Sequence, residues 1–130
     1  MADLEQLKQK YASVIEALQT FGEYGATVDA VELDGEQLHL KGTVPSKVVL
    51  ERVWDHIKQA DPTYSDLKHE ISNTGGDEQP YTVKPGDTLS AVSKLFYGSA
   101  NKYPQIASAN NLADPNNVRV GTELSLPVIT

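Results

Sequence analysis

The residues best suited to bind a specific ligand lie in one short stretch. Tyr81-Thr82-Val83-Lys84 alternates apolar and polar side chains, which is typical of a strand, and Pro85-Gly86-Asp87-Thr88 follows as a tight turn before a helix. Gly86 suits the turn, and Asp87 or Thr88 suits the helix start, where a side-chain oxygen accepts backbone N–H bonds. The stretch therefore has two interpretations, as a binding site and as a structural turn.

The sequence gives little indication of a catalytic or metal site. The chain has no cysteine, which excludes disulfides, thiolate catalysis and cysteine metal sites. His39, His56 and His69 share no metal-ligand spacing. The acidic residues of the N-terminal part form no pattern typical of paired catalytic acids. We therefore expect a binding protein rather than an enzyme, with no organic cofactor.

The acidic composition argues against nucleic acid as a partner. The chain has 130 residues, of which 39% are hydrophobic, and a net charge of −7. Its basic residues are scattered, whereas phosphate binding needs clustered Lys and Arg. No stretch approaches the roughly 20 apolar residues of a membrane span, and the first residues lack the features of a signal peptide. We expect a cytoplasmic location, or the cell envelope if another route exports the chain.

The N-terminal part predicts the order helix, strand, strand, helix, strand. The first helix carries one apolar stripe and ends at Gly22. Two alternating runs around Asp34-Gly35 predict a hairpin, and Ser46 suits the start of the second helix, which Asp61-Pro62 ends. A strand follows over residues 67–71. The helical stripes that a small sheet would bury consist of Leu4, Leu7, Tyr11, Val14, Leu18, Phe21, Val49, Leu50, Val53, Trp54 and Ile57.

Residues 73–80 have no apolar side chain and include two adjacent glycines, which is typical of a flexible linker. They divide the chain into an N-terminal domain, residues 1–72, and a C-terminal domain, residues 81–130. The second domain predicts strand, helix, helix, strand, and its short strands must pair because neither is stable alone. The expected fold class is therefore α+β, with αββαβ followed by βααβ.

The C-terminal domain resembles LysM domains. The resemblance is carried, in order, by residues 81–89, residues 106–110, Leu112, Asp114-Pro115 and residues 120–127. It implies a βααβ fold that binds glycans containing N-acetylglucosamine, such as peptidoglycan or chitin oligomers.

The LysM resemblance also implies where a glycan would bind. The groove of such a domain lies between the turn before the first helix and the loop after the second. Backbone groups of the turn and two asparagine amides would bond the N-acetyl group, and aliphatic side chains would contact its methyl group. The implied residues are Gly86, Asp87, Thr88, Leu89, Ile106, Asn110, Asn111 and Leu112. Each of them also suits a structural role in the fold.

The N-terminal domain resembles BON domains through residues 33–44 and the helix and strand that follow. A BON-like domain followed by LysM is similar to the small bacterial BON–LysM potassium-binding proteins. That resemblance implies potassium as an alternative ligand, held by backbone carbonyls. The candidate carbonyls lie at the end of the second N-terminal helix, at Gln59, Ala60 and Asp61, because a helix C-terminus carries partial negative charge.

Three hypotheses therefore follow from the sequence. Glycan binding through LysM is first, potassium binding is the alternative, and a structural adaptor role in a phage tail or injection machine is third. None of them specifies an oligomeric state.

Overall fold

The computed structural model describes residues 3–114 and 118–129. The N-terminal part contains α1 (Leu4–Lys10), α2 (Ala12–Thr20), β1 (Thr27–Asp34), β2 (Gln37–Val44), α3 (Lys47–Ala60) and β3 (Leu67–Asn73). The C-terminal part contains β4 (Gln79–Thr82), α4 (Leu89–Tyr97), α5 (Tyr103–Ala109) and β5 (Glu123–Leu126), with short 3-10 turns at Phe21–Tyr24 and Ala100–Lys102. The α+β class predicted from the sequence is confirmed.

The first predicted helix is divided in two at Tyr11. Tyr11 has φ −104° and ψ 22°, outside the helical values, and its hydroxyl donates a hydrogen bond to the Asp66 carboxylate. The predicted stripe is nevertheless buried, since Tyr11, Val14 and Leu18 have no exposed surface. The helical region also runs past Gly22, because a 3-10 turn continues to Tyr24 before Gly25 at φ 113° ends it.

The N-terminal sheet has the strand order β1-β2-β3. Strands β1 and β2 are antiparallel and joined by a two-residue turn in which Gly35 has φ 62°, as the predicted hairpin requires. Strand β3 is parallel to β2, because α3 carries the chain back across the sheet. The Ser46 hydroxyl caps α3 by accepting a bond from the Val49 amide at 3.2 Å.

The predicted linker is shorter than expected and is anchored. Strand β3 extends through Asn73 and β4 begins at Gln79, so only residues 74–78 lie outside strands. Their backbone is held at both ends: Thr74 N donates to Val44 O at 2.9 Å, and Lys47 N, at the start of α3, donates to Gly76 O at 3.0 Å. The flexible linker over residues 73–80 stays a prediction from the sequence, and the structure shows that this segment forms backbone hydrogen bonds with Val44 and the start of α3.

An aromatic cluster joins the two parts of the chain. Phe21 lies 5.2 Å from Phe96, and Tyr24 lies 5.4 Å from Phe96 and 5.9 Å from Tyr81, measured between ring centroids. Lys84 Nζ also forms an ion pair with Glu23 at 2.8 Å. The buried side chains of both parts belong to one continuous hydrophobic core. The division into two domains is a prediction from sequence, whereas the structure packs these parts against each other.

Within residues 3–114 and 118–129, no helix is both long and apolar enough to cross a membrane.

Candidate functional site

The turn between β4 and α4 is built around the Asp87 carboxylate. Its Oδ2 atom accepts hydrogen bonds from the Tyr81 hydroxyl at 2.5 Å and from the Lys84 amide at 2.8 Å. Gly86 has φ 84°, a conformation that glycine adopts without strain. Burial, together with the bond to Asp87, raises the pKa of Tyr81, so its hydroxyl stays protonated and continues to donate. Asp87 therefore stabilises the turn through the two hydrogen bonds that its carboxylate accepts.

The start of α4 presents polar groups to solvent. Thr88 is the N-cap, and its hydroxyl accepts a bond from the Ala91 amide at 3.1 Å. The first amides of a helix have no intrahelical acceptor, so N–H groups at this end are available to a ligand. Gly86 and Thr88 are exposed, whereas Leu89 is 2% exposed. The accessible part of the turn is thus its backbone, and Leu89 belongs to the core.

The side-chain amide of Asn110 forms hydrogen bonds within the protein. Its Nδ2 group donates to Ile106 O at 2.8 Å and to Ser125 O at 2.9 Å, and its Oδ1 atom accepts from Ser125 N at 2.8 Å. Both amide protons are therefore used in tying the end of α5 to β5. The structure gives Asn110 a structural role, and its implied role as a glycan-binding amide stays a prediction.

The residues after Asn110 form the exposed edge of the opposite loop. Asn111 is exposed and has φ 54°, which asparagine tolerates better than most residues. Leu112 is half-buried, packs on the hydrophobic core and is fixed by its amide, which donates to Ala107 O at 3.0 Å. Ile106 has no exposed surface. Pro115, part of the predicted signature, lies outside the described residues.

Of the eight implied glycan-binding residues, Asp87 and Asn110 form hydrogen bonds within the fold, and the other six fall into two groups. Leu89 and Ile106 are buried in the hydrophobic core, and Leu112 packs against that core. Gly86 and Asn111, in left-handed conformations, lie at the surface together with Thr88 and part of Leu112. The exposed groups of this candidate site are thus backbone atoms of the turn together with the Thr88 and Asn111 side chains.

The proposed potassium position lies at the end of α3. The helix ends at Ala60, after Gln59, and Asp61 is its C-cap, donating its N–H to Ile57 O. The Asp61 carboxylate is already paired with the Lys10 ammonium at 2.8 Å. The Asp61 carboxylate therefore already has a cationic partner within the protein, whereas the predicted potassium ligands are backbone carbonyls.

A charged cluster around Lys10 was not predicted from the sequence. The Lys10 ammonium also contacts Asp66 at 2.7 Å, and Tyr11 donates to the same carboxylate. The bond from Lys10 and those from Thr63 lower the pKa of Asp61 far below its usual value. Burial alone would raise the pKa of Asp66, but its bonds from Lys10 and Tyr11 outweigh burial and lower it. No sequence signal relates these residues, because they are more than 50 positions apart.

Replacing Lys10 by methionine is expected to remove a pH-dependent part of the stability. A carboxyl group whose pKa is lowered in the folded state stabilises the protein above its unfolded pKa, about 3.9 for Asp. That contribution is lost as the pH falls through the folded value. The stability difference between wild type and Lys10→Met, measured by urea unfolding from pH 6 to pH 2, should therefore shrink on acidification.

Lys8→Met is the matched control, because the Lys8 ammonium pairs with Glu5, one turn away on the same helix, at 3.9 Å. It should follow the wild-type pH profile. A Lys10→Met difference that stays constant down to pH 2 would contradict the electrostatic role of Lys10.

Known proteins resemble the C-terminal part of the chain. Residues 81–127 match the LysM domain family. The potassium binding protein Kbp of Escherichia coli is 51% identical over 51 residues, covering 38% of this chain and 34% of that protein. The chitin elicitor-binding protein of Oryza sativa subsp. japonica is 38% identical over 48 residues, which is 37% of this chain and 14% of that protein.

An enzyme is also among the relatives. The N-acetylmuramoyl-L-alanine amidase XlyA of Bacillus subtilis is 42% identical over 50 residues, covering 38% of this chain and 16% of the amidase. The chain matches only 10% to 34% of the length of the first curated relatives. The likeness therefore concerns a LysM binding module and leaves the rest of those proteins unmatched.

Proposed function

We propose that the LysM domain at residues 81–127 makes this chain a non-catalytic binding protein for N-acetylglucosamine-containing glycans. The observation that carries the proposal is the exposed backbone of the β4–α4 turn, which the Asp87 carboxylate stabilises; Asn111, in the loop after α5, is exposed as well. The likeness to a chitin elicitor-binding protein and to an N-acetylmuramoyl-L-alanine amidase favours the same ligand class.

The chemistry of the groove suits an acetamido sugar. The N–H groups at the start of α4 would donate to the acetamido carbonyl, and the Asn111 amide offers both a donor and an acceptor. The exposed part of Leu112 would contact the methyl group. Each net hydrogen bond contributes about 1 kcal/mol, so several sugar units are needed for useful affinity.

Potassium binding in the cytoplasm is the second candidate function. It is favoured by the likeness to the potassium binding protein Kbp, at 51% identity. In this chain the candidate ligands are the backbone carbonyls of Gln59, Ala60 and Asp61 at the end of α3. Because Lys10 neutralises the Asp61 carboxylate, a bound potassium ion would depend on carbonyl oxygens or displace the Lys10 ammonium.

Titration of isotope-labelled protein with chitotetraose tests the glycan proposal. We expect amide shifts at Gly86, Thr88, Asn111 and Leu112, and none with cellotetraose, which lacks the acetamido group. Asn111→Gly removes the amide while suiting the positive φ, and should weaken binding about fivefold. Gln105→Ala, an exposed amide on α5, is the matched control.

A parallel titration with potassium against sodium separates the alternatives. Potassium-selective shifts near residues 59–61 without any response to chitotetraose would overturn the glycan proposal in favour of the second candidate.

A further inference from the structure

A cleft of about 620 Å³ opens between α3 and the C-terminal part of the chain. Its walls include Trp54 and Tyr64 on one side and Tyr97, Lys102 and Ile129 on the other. A volume of this size, at the junction of two packed units, is typical of a small-molecule site. None of the eight residues implied for the LysM groove lines it.

The N-terminal wall of the cleft is aromatic. The Trp54 ring is half-buried and makes edge contacts with Tyr64 at 5.3 Å and with His69 at 4.6 Å between centroids. These contacts fix its orientation. Tyrosine and tryptophan combine a flat apolar surface with a polar group, which suits ligands that are apolar on one face and polar at their edges. The helical spacing predicts Trp54 as a core residue; the structure packs it against the hydrophobic core and also places it on the wall of the cleft.

Tyr64 is held in an unfavourable backbone conformation next to this wall. Its φ is 36°, and a non-glycine residue at positive φ costs on the order of 1–2 kcal/mol. The conformation is fixed by two backbone bonds, from Tyr64 N to Asp61 O and from Leu67 N to Tyr64 O, each 3.1 Å. Strain of this kind is concentrated at functional sites. Here it places an aromatic ring at the cleft.

Charged groups of both signs surround the cleft. Glu51 and Asp55 lie one helical turn apart on α3, and Lys58 and Lys102 contribute two ammonium groups. Arg52 also lines the cleft, and its Nε group donates to Leu95 O at 3.2 Å and so holds α3 against α4. The two carboxylates offer acceptors and the three cations offer donors to a ligand that carries hydroxyl groups.

We propose that this cleft is a second saccharide-binding site. A pyranose ring has an apolar C–H face that would pack on Trp54 and Tyr64. Its hydroxyl groups would donate to Glu51 and Asp55 and accept from the two lysines. Because both parts of the chain supply its walls, the cleft exists only when they are packed together. The proposal concerns residues outside the LysM groove, so either site can bind without the other.

Trp54 makes the test direct, because it is the only tryptophan in the sequence. Its fluorescence and its indole N–H resonance report on the cleft, while the amides of Gly86 and Asn111 report on the groove. Titration with chitotetraose and with cellotetraose should shift the Trp54 signals with both saccharides. Asp55→Asn and Lys102→Met should each weaken this response about fivefold and leave the groove amides unchanged.

Lys94→Met, an exposed lysine on α4, is the matched control and should bind as the wild type. Groove shifts without any Trp54 response would overturn the second site and leave the LysM proposal standing. A Trp54 response without groove shifts would overturn the LysM proposal and leave the second site standing. A Trp54 response that Asp55→Asn and Lys102→Met leave unchanged would also overturn the second site.

Discussion

Replacing Phe21 by alanine should destabilise the LysM domain, although Phe21 lies 60 positions before it. Phe21 is 2% exposed, and its ring packs against Phe96 of α4 at 5.2 Å. Loss of a buried phenylalanine costs about 3–5 kcal/mol, which combines lost transfer free energy with the cavity left behind. We expect a lower urea midpoint and faster hydrogen exchange at amides of β4 and α4.

Leu38→Ala is the control for this prediction. Leu38 has no exposed surface and lies on β2, so its replacement should cost about 2–5 kcal/mol. Its effect on exchange should be greatest in the N-terminal sheet. If Phe21→Ala left exchange in residues 81–127 at the wild-type rate, the aromatic cluster would not couple the two parts of the chain.

Replacing Asn110 by alanine should destabilise the protein by about 2–3 kcal/mol. The side chain makes three hydrogen bonds, each with a net contribution of about 1 kcal/mol, and its loss leaves the Ser125 backbone unpaired. Amides of β5 should lose protection from hydrogen exchange. Urea unfolding and native-state exchange measure both effects.

Asn111→Gly is the matched comparison, one residue further along the chain. Because Asn111 has φ 54° and is exposed, glycine should leave the unfolding free energy within about 0.5 kcal/mol of wild type. The two variants therefore separate a structural asparagine from one available to a ligand. Equal stability losses in both would contradict that distinction.

Much of the local structure was predictable because it depends on local chemistry. The hairpin at Gly35, the Ser46 cap and the strand-turn-helix at Gly86 each follow from residues close in sequence. The break at Tyr11 was not predictable, because it coincides with a hydrogen bond to Asp66 on a distant loop. For the same reason, the ion pairs of Lys10 have no signature in the sequence.

The candidate glycan site stays a prediction, but the structure separates its core residues from its exposed ones. The signature located the turn and the loop, yet residue type alone could not distinguish Asn110 from Asn111. Both are asparagines at a helix end, and only the position of β5 decides that Asn110 reaches Ser125. Likewise, Leu89 and Ile106 are core residues because the two helices close over them.

The sequence by itself determined the order of the elements and the LysM signature, because these depend on periodicity, turn residues and local motif; the class of ligand to test is what the resemblance to LysM domains implies. Only the tertiary structure decided that Phe21 and Tyr24 pack on Phe96, that residues 74–78 are anchored, and that Trp54 lines a cleft. Those features join residues far apart in the chain, and their energies come from packing and hydrogen bonds that exist only after folding.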